Sequence, residues 1–394
     1  MNRPLRWLFL LSLAEIATML TFGSYSAALP ILRQEWHLSA AQAGAIFAGQ
    51  QIGYTAAVLI LSSLTDVIGV RTIYLLSALW NGVFGILFAL LANGFTSALV
   101  LRTCGGIGLA GTYMPGMRLV VETFPAVRRG GAMGIYIASF SLGVSLSLLL
   151  TGALIPTGWR TAFLVTSVGP LLALGIAWSI VRDVPRQVRQ SGVEFGRVLR
   201  NTQAMRFITA YAAHNWELFA MRSWLPAFLT SLWVAQGLSL TAATARGASF
   251  ASAVLLASGL SNATGGWLSD RLGRVRTIVV VLTASGLCSV LIGWTAPLGL
   301  AVVLILAIVY GLLVTAESST LSTAVAESAD PDALGTTMAV QSSLGFLVTA
   351  ISPPLFGSIL DATGGDWGWA FASLGLAAIV GVLAVVRISG GTGR

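Results

Sequence analysis

Lysine is absent from this 394-residue chain, and its absence removes a whole class of chemistry. Without it there is no Gly-x-x-x-x-Gly-Lys loop to cradle phosphates, so nothing supports work driven by ATP bound to this chain alone. Histidine is nearly as scarce. His37 and His214 are the only two, too few for a histidine metal cluster. Both cysteines, Cys104 and Cys288, fall inside apolar runs, which indicates neither a disulfide framework nor a metal site. No nucleophile–base pairing resembles a hydrolase. The sequence calls for no metal and no cofactor, and it points away from an enzyme.

Charge of either sign is also in short supply. Only 9% of residues are charged while 56% are hydrophobic, and the mean hydropathy is +0.85. That leaves too little polar surface for a water-soluble domain, so the chain must use lipid as its solvent. A net charge of +8 would suggest nucleic acid in a soluble protein, but here it has another origin. All 22 basic residues are arginine, and they gather in loops between apolar runs rather than on one basic face. No nucleic-acid partner is expected. The opening Met-Asn-Arg-Pro-Leu-Arg leads straight into a membrane-length segment, which reads as a first spanning helix and not as a cleaved signal.

Runs long enough to span a bilayer as helices lie at 7–29, 41–61, 72–92, 96–117, 132–154 and 161–181, then at 204–232, 246–268, 276–295, 299–322, 335–359 and 367–387. That makes twelve, six on each side of a polar linker at 182–203. The linker carries Arg182, Arg186, Arg189, Arg197 and Arg200 and has room for a short amphipathic helix on the membrane surface. With a cytoplasmic N-terminus, seventeen arginines fall on the cytoplasmic side, and only Arg33, Arg160 and Arg246 fall outside. The positive-inside rule therefore places both termini in the cytoplasm. Glu327, Asp330 and Asp332, in the loop after the tenth run, scarcely affect insertion and are free to cap the next helix or pair with arginines.

One loop stands out: Gly266-Trp-Leu-Ser-Asp270-Arg271-Leu-Gly273-Arg274-Val-Arg276. A tight turn between spanning helices needs small residues, and Asp270 can pair with arginines across it. The loop has a weaker copy, Ser62-Ser-Leu64-Thr-Asp66-Val-Ile-Gly69-Val-Arg71, with 204 residues between the aspartates. Two more anchors repeat at nearly the same offset. Glu122, Gly130 and Met133 recur as Glu327, Gly335 and Met338, and Trp159 with Phe163 recurs as Trp367 with Phe371. Three anchors at one offset indicate a duplication. The first copy lacks the glycine and two of the arginines, so it is expected to pair its charges less fully.

The Gly-x-Leu-Ser-Asp-Arg-x-Gly-Arg string resembles the cytoplasmic-loop motif of the major facilitator superfamily of secondary transporters. Arg102-Thr-Cys-Gly-Gly106-Ile-Gly108-Leu-Ala110 is similar to that superfamily's fourth-helix motif, whose arginine is linked to proton coupling or anion binding. The resemblance spans nearly the whole chain. It implies an all-α membrane protein with the major facilitator fold, in which two pseudo-symmetric six-helix bundles, 1–181 and 204–394, flank a basic cytoplasmic linker, 182–203. It further implies alternating access, with Asp66, Arg71, Glu122, Arg128, Asp270, Arg271, Arg274 and Glu327 serving the gates. The drug antiporters of the superfamily carry a Gly-Pro-rich fifth helix. Here that stretch, Gly134 to Ser145, has no proline.

Charges inside spans are costly and so become functional candidates by default. Arg102 is one; its alternative role is to tie helices together through backbone carbonyls. The seventh run carries His214, Asn215, Glu217 and Arg222 within an arc of roughly 160°, a suitable wall for a water-filled cavity, with Glu217 expected to hold Arg222 until an anion arrives. In the first run Ser12, Glu15, Thr18, Phe22, Tyr25 and Ser26 share a face. A carboxyl in low dielectric can load and release a proton near neutral pH, which makes Glu15, Glu217 and Glu317 the proton-coupling candidates; Arg118 is the alternative partner for Glu15. Tyr25, Gln51, Tyr54, Asn215 and Gln341 are candidates for neutral contacts to substrate, or for inter-helix glue. Ser352-Pro353-Pro354 is expected to bend the eleventh helix.

The reading is a gradient-driven, proton-coupled transporter of a small organic anion such as a carboxylate, a monomer in a bacterial cytoplasmic (inner) membrane. Its substrate would sit between Arg102 and Arg222. Export of hydrophobic drugs, suggested by the many Trp and Phe residues, is the runner-up. A non-transporting sensor or assembly factor on the same scaffold is the third reading.

Overall fold

The structure, a computed structural model, describes residues 3–182 and 195–389. Among these residues every regular element is helical, as a chain solvated by lipid requires. The first half contains α1 (Arg3–Met19), α2 (Ser24–Glu35), α3 (Ala40–Ile68), α4 (Val70–Leu91), α5 (Phe95–Thr123), α6 (Ala126–Leu154) and α7 (Trp159–Ile180). The second contains α8 (Phe195–Arg200), α9 (Thr202–Ala235), α10 (Leu240–Leu272), α11 (Arg274–Ile292), α12 (Leu300–Ser328), α13 (Leu334–Thr349), α14 (Ser352–Ala362) and α15 (Trp367–Ser389). Among the described residues eleven stretches are long and apolar enough to cross a membrane. The twelfth expected span, α5, is 29 residues long, but Arg102, Arg118, Glu122 and its glycines dilute its apolar character.

Two expected spans are not single helices. The first breaks between Met19 and Ser24. There the Ser147 hydroxyl accepts from the Gly23 amide at 3.1 Å and donates to the Leu20 carbonyl, so part of the broken backbone is satisfied by a side chain of α6. No proline signals this break. The eleventh span breaks at Ala350 and Ile351, where Ser352-Pro353-Pro354 opens α14. The Trp224 indole donates to the Pro353 carbonyl at 3.0 Å. In the linker, residues 183–194, with Arg186 and Arg189, lie outside the described residues, as do Met1, Asn2 and 390–394. The short helix at its end is α8, whose Val198 is buried in an apolar core with Phe207, Ile208, Ile278 and Leu321.

The tight turns follow from one residue each. A single glycine separates α3 from α4 and another separates α10 from α11. Gly69 (φ 93°) and Gly273 (φ 85°) both occupy the left-handed region, which a side chain would strain. Elsewhere glycine serves close approach. A Cβ on Gly53 would collide with the Thr103 carbonyl, and one on Gly106 with the Gln50 carbonyl. This lets α3 and α5 touch backbone to backbone and puts Gln50 beside Arg102.

Packing divides the chain into two compact units, Met1–Leu38, Ala45–Arg189 and Leu225–Leu256 in one, Ser39–Gly44, Gln190–Trp224 and Ala257–Arg394 in the other. Each has an apolar core, and the cores share repeat-equivalent positions at Tyr74 and Ile278, Leu119 and Ala324, and Val120 and Val325. Val70, Tyr74, Leu119 and Val120 are buried together in the first unit. Ile278, Leu282, Ala324 and Val325 are buried together in the second. The Trp–Phe anchor is likewise aromatic packing in both: Phe88 stacks on Phe163 at 4.8 Å, and Phe356 meets Phe371 edge-on at 5.0 Å.

Candidate functional site

Arg102 lies in α5 of the first unit and is 6% exposed. Its guanidinium donates to the Thr21 carbonyl at 3.1 Å, to the Phe22 carbonyl at 3.4 Å and to the Gln50 side-chain carbonyl. Its carbon sits 5.4 Å from the centre of the Tyr25 ring. The two backbone carbonyls belong to the break between α1 and α2, so the cation holds a helix interruption together. The Thr21 hydroxyl in turn donates to Asn81 at 3.1 Å. The cavity beside Arg102, lined by Thr21, Gln50, Asn81 and Phe88 among others, is about 20 Å³. That is room for a single water and not for an organic acid. Of the two roles weighed for Arg102, this geometry matches the tie through backbone carbonyls.

Glu15 is fully buried and accepts from the Tyr136 hydroxyl at 2.9 Å. Its alternative partner, Arg118, is elsewhere. Arg118 donates to Asp66 at 2.5 Å and to Glu122 at 2.7 Å, and to the Thr65 hydroxyl at 2.7 Å. The second unit builds a matching bridge from different parts. Arg274 donates to Asp270 at 2.6 Å and to Glu327 at 2.9 Å, and to the Ser269 hydroxyl at 2.5 Å. The acids are repeat equivalents, whereas the arginines come from different elements, α5 in one case and the first residue of α11 in the other. The first copy of the loop therefore pairs its aspartate as fully as the second, contrary to expectation, because the missing cation comes from Arg118. Glu327 bonds Arg274 through both carboxylate oxygens. The other expected gate arginines do different things. Arg71 lies over Trp178 at 4.9 Å and Arg271 over Trp267 at 4.0 Å. Arg128 is exposed at a cavity of about 570 Å³ with Pro4, Leu5 and Phe124. Asp330 pairs with Arg197 at 2.6 Å and accepts from the Asp332 amide at 3.2 Å.

The second unit holds the densest buried polar cluster. His214 and Glu217 of α9 and Glu317 of α12 are each at most 1% exposed. His214 Nδ1 lies 3.0 Å from Glu317 Oε2, and its Nε2 lies 2.7 Å from the Ser318 hydroxyl. Ser285 of α11 stands between the two acids, 2.8 Å from Glu317 Oε1 and 3.3 Å from Glu217 Oε2. The structure thus joins three residues from two separate runs, and Ser285, which no sequence pattern marks, links the two acids. Close packing of α13 on α9 brings in its neighbours: a Cβ on Gly345 would collide with Tyr211 and meet Asn215 Nδ2 at 2.6 Å. Asn215 and Gln341 are buried, and Gln341 donates to the Ser322 hydroxyl at 3.1 Å. Gln51 and Tyr54 are buried in α3 of the first unit.

Glu217 does not hold Arg222. Five residues along a helix turn the side chains about 140° apart, whereas pairs meet at three or four. Glu217 faces Ser285 instead. Arg222 is partly buried, with its guanidinium 6.0 Å from the centre of the Phe219 ring. Among the described residues no hydrogen bond or ion pair joins it.

Two contacts connect segments of the two repeats far along their helices from Asp66 and Asp270. Ser145 and Ser252 each donate to the other's backbone carbonyl at 2.8 Å. The Asp361 carboxylate accepts from the Ala40 and Ala41 amides, both at 2.8 Å, capping α3 from a distant part of the chain. Neither was visible in the sequence, since serine and aspartate at those places carry no distinctive spacing.

Comparison with known proteins agrees with this architecture. The family model described as Major Facilitator Superfamily matches residues 11–353 and 218–389. A hexuronate transporter of Bacillus subtilis is 25% identical over 96% of this chain and 92% of its own length. A probable sulfoacetate transporter of Cupriavidus necator is 26% identical over 63% of this chain and 60% of its own length. A galacturonate transporter of Dickeya chrysanthemi is 30% identical over 45% of this chain and 51% of its own length. Among solved structures, a bacterial homologue of the human lysosomal transporter Spinster, inward-facing and unoccupied, superposes with a TM-score of 0.78 at 17% identity, covering 99% of this chain and 96% of that one. The helical architecture, the duplicated loops and the family match lead to one conclusion: this chain belongs to the major facilitator superfamily, and it is a membrane transporter rather than an enzyme.

Proposed function

We propose that this transporter carries a small organic carboxylate of the hexuronate type, coupled to protons, by alternating access. The observation that carries the reading is Arg222, a partly buried cation for which no acceptor is found among the described residues. A guanidinium withdrawn from water is costly without an anion, and a carboxylate fits its paired donors. The names of the relatives, hexuronate, galacturonate and sulfoacetate transporters, support an anionic substrate. Asn215 and Gln341 of the second unit, and Tyr25, Gln51 and Tyr54 of the first, are the candidates for neutral contacts. Arg102 shapes the site by fixing the α1–α2 break instead of touching the anion. Glu15, Glu217 and Glu317 are the proton carriers.

In this reading 1–181 and 204–394 rock about the linker 182–203. The arginine bridges at Asp66 and Asp270 each brace a loop of one half on the same side, and the Ser145–Ser252 and Asp361 contacts tie residues of the two repeats together away from those loops. The protein works as a monomer in a bacterial cytoplasmic membrane with both termini inside, a placement that rests on its arginine distribution.

Arg222→Lys tests the substrate site. Lysine keeps the charge but not the bidentate geometry, so D-galacturonate binding should weaken about tenfold, or ~1.4 kcal/mol. Binding as tight as in the wild type would sink the site. A thermal-shift screen of acids, neutral sugars and cationic dyes should show stabilisation by the acids alone.

A further inference from the structure

The buried acids of the second unit have one feature that the transport reading does not require. Ser285 Oγ lies within hydrogen-bonding distance of three acceptors: Glu317 Oε1 at 2.8 Å, Glu217 Oε2 at 3.3 Å and the Leu282 carbonyl at 3.2 Å. A serine hydroxyl has one hydrogen to donate. It cannot satisfy two ionised carboxylates at once, and neither acid is bonded by an arginine: in the described residues the sole ion-pair partner of Glu317 is His214, and Glu217 has none. Both carboxylates are buried, where like charges cannot both persist. A proton on one of them resolves the geometry. Glu217 then donates to Ser285 Oγ, Ser285 donates to Glu317 Oε1, and His214 Nδ1–H donates to Glu317 Oε2. The Ser318 hydroxyl donates to His214 Nε2. Each short contact then has a single hydrogen of correct sense.

We infer that Glu217 and Glu317 hold one proton between them and that the Ser285 hydroxyl relays it from one to the other. In the relay Glu217 Oε2–H passes its proton to Ser285 Oγ as Ser285 passes its own to Glu317 Oε1. A neutral Glu217 and an ionised Glu317 become an ionised Glu217 and a neutral Glu317, with the serine restored and no net charge moved out of the cluster. The other groups around the pair are His214 from α9, with Arg222 acting on it, Cys288 from α11 and Tyr310 from α12. Among them Arg222 alone carries a fixed charge. It acts on His214, which bonds Glu317, so an anion bound at Arg222 would reach the shared proton through His214. The shared proton stands without any substrate. Its link to the anion rests on the transport reading.

Infrared spectroscopy of the reconstituted full-length protein at neutral pH tests the shared proton directly. The double variant Glu217→Gln with Glu317→Gln should lose the protonated-carboxyl stretch of one group. Loss of none or of two would overturn the proposal. The relay is tested in proteoliposomes with D-galacturonate as the probe. Ser285→Ala should lower proton uptake per galacturonate at least tenfold while galacturonate exchange at equal pH persists. Ser285→Thr, which keeps the hydroxyl, should restore it. Wild-type proton uptake in Ser285→Ala would overturn the relay. Absence of galacturonate exchange in the wild type would instead overturn the substrate reading and leave the infrared result to decide the proton.

Discussion

The two units satisfy their buried charges differently. In the first, a cation is surrounded by acceptors: Arg102 is bound by two backbone carbonyls, a glutamine and the face of a tyrosine. In the second, two acids share a serine and one of them also meets a histidine, while Arg222 has no hydrogen-bond acceptor among the described residues. Duplication produced equivalent apolar cores but not equivalent polar ones. A cation bonded through both of its terminal nitrogens, with a 20 Å³ cavity beside it, stabilises a fixed backbone shape. A cluster short of hydrogens has more than one arrangement of its proton, and an unsatisfied cation leaves a place for an anion. Around Arg102 the first unit therefore holds geometry, whereas the Glu217–Ser285–Glu317 cluster of the second has more than one arrangement open to it.

The largest effect expected from breaking this contrast is on stability. Arg102→Ala leaves two carbonyls and Gln50 without their donor in a buried site, a loss of about 3–5 kcal/mol that should appear as a sharp fall in the thermal unfolding temperature. An unfolding temperature equal to the wild type would mean that Arg102 ties nothing. Next comes Glu317→Gln, which fixes the neutral form of one acid. Galacturonate exchange should persist while its pH dependence flattens; an unaltered pH profile would remove Glu317 from the proton path.

Smaller effects are expected at the two loop bridges. The carboxylates bound by Arg118 are 49% and 25% exposed, against 66% and 55% for those bound by Arg274. Exposed pairs are worth roughly 0.2–1 kcal/mol, so Arg118→Ala should open the side that carries the Asp66 and Asp270 loops more than Arg274→Ala. Cysteine labelling of positions lining that side measures the order. The reverse order would show that exposure does not grade these bridges. Smallest is Asp361→Ala, which removes the cap on α3 for about 1 kcal/mol. It should raise labelling on the opposite side, and no change there would separate Asp361 from the gate.

Much of the fold was legible because membrane helices announce themselves by length and apolarity, and because duplication repeats Asp66, Glu122 and Trp159 as Asp270, Glu327 and Trp367. The break at Leu20–Gly23 was not legible, since no proline marks it and its freed carbonyls are satisfied by Arg102 and Ser147 from other segments. The polar site was read in part. His214, Glu217 and Glu317 were visible as costly charges within apolar runs, but their meeting depends on how α9, α11 and α12 pack. Ser285 could not be chosen among many serines. The Glu217–Arg222 pair was expected from proximity in sequence, and helix geometry turns the two apart. Arg118 carried a readable clue in its four-residue spacing to Glu122.

The central claim is that the working cation is Arg222 and that Arg102 is a structural tie. Calorimetric titration of D-galacturonate into the wild type, Arg222→Lys and Arg102→Lys tests it most directly. The account predicts about tenfold weaker binding for Arg222→Lys and near wild-type affinity for the folded fraction of Arg102→Lys. Intact binding in Arg222→Lys with binding lost in folded Arg102→Lys would contradict it.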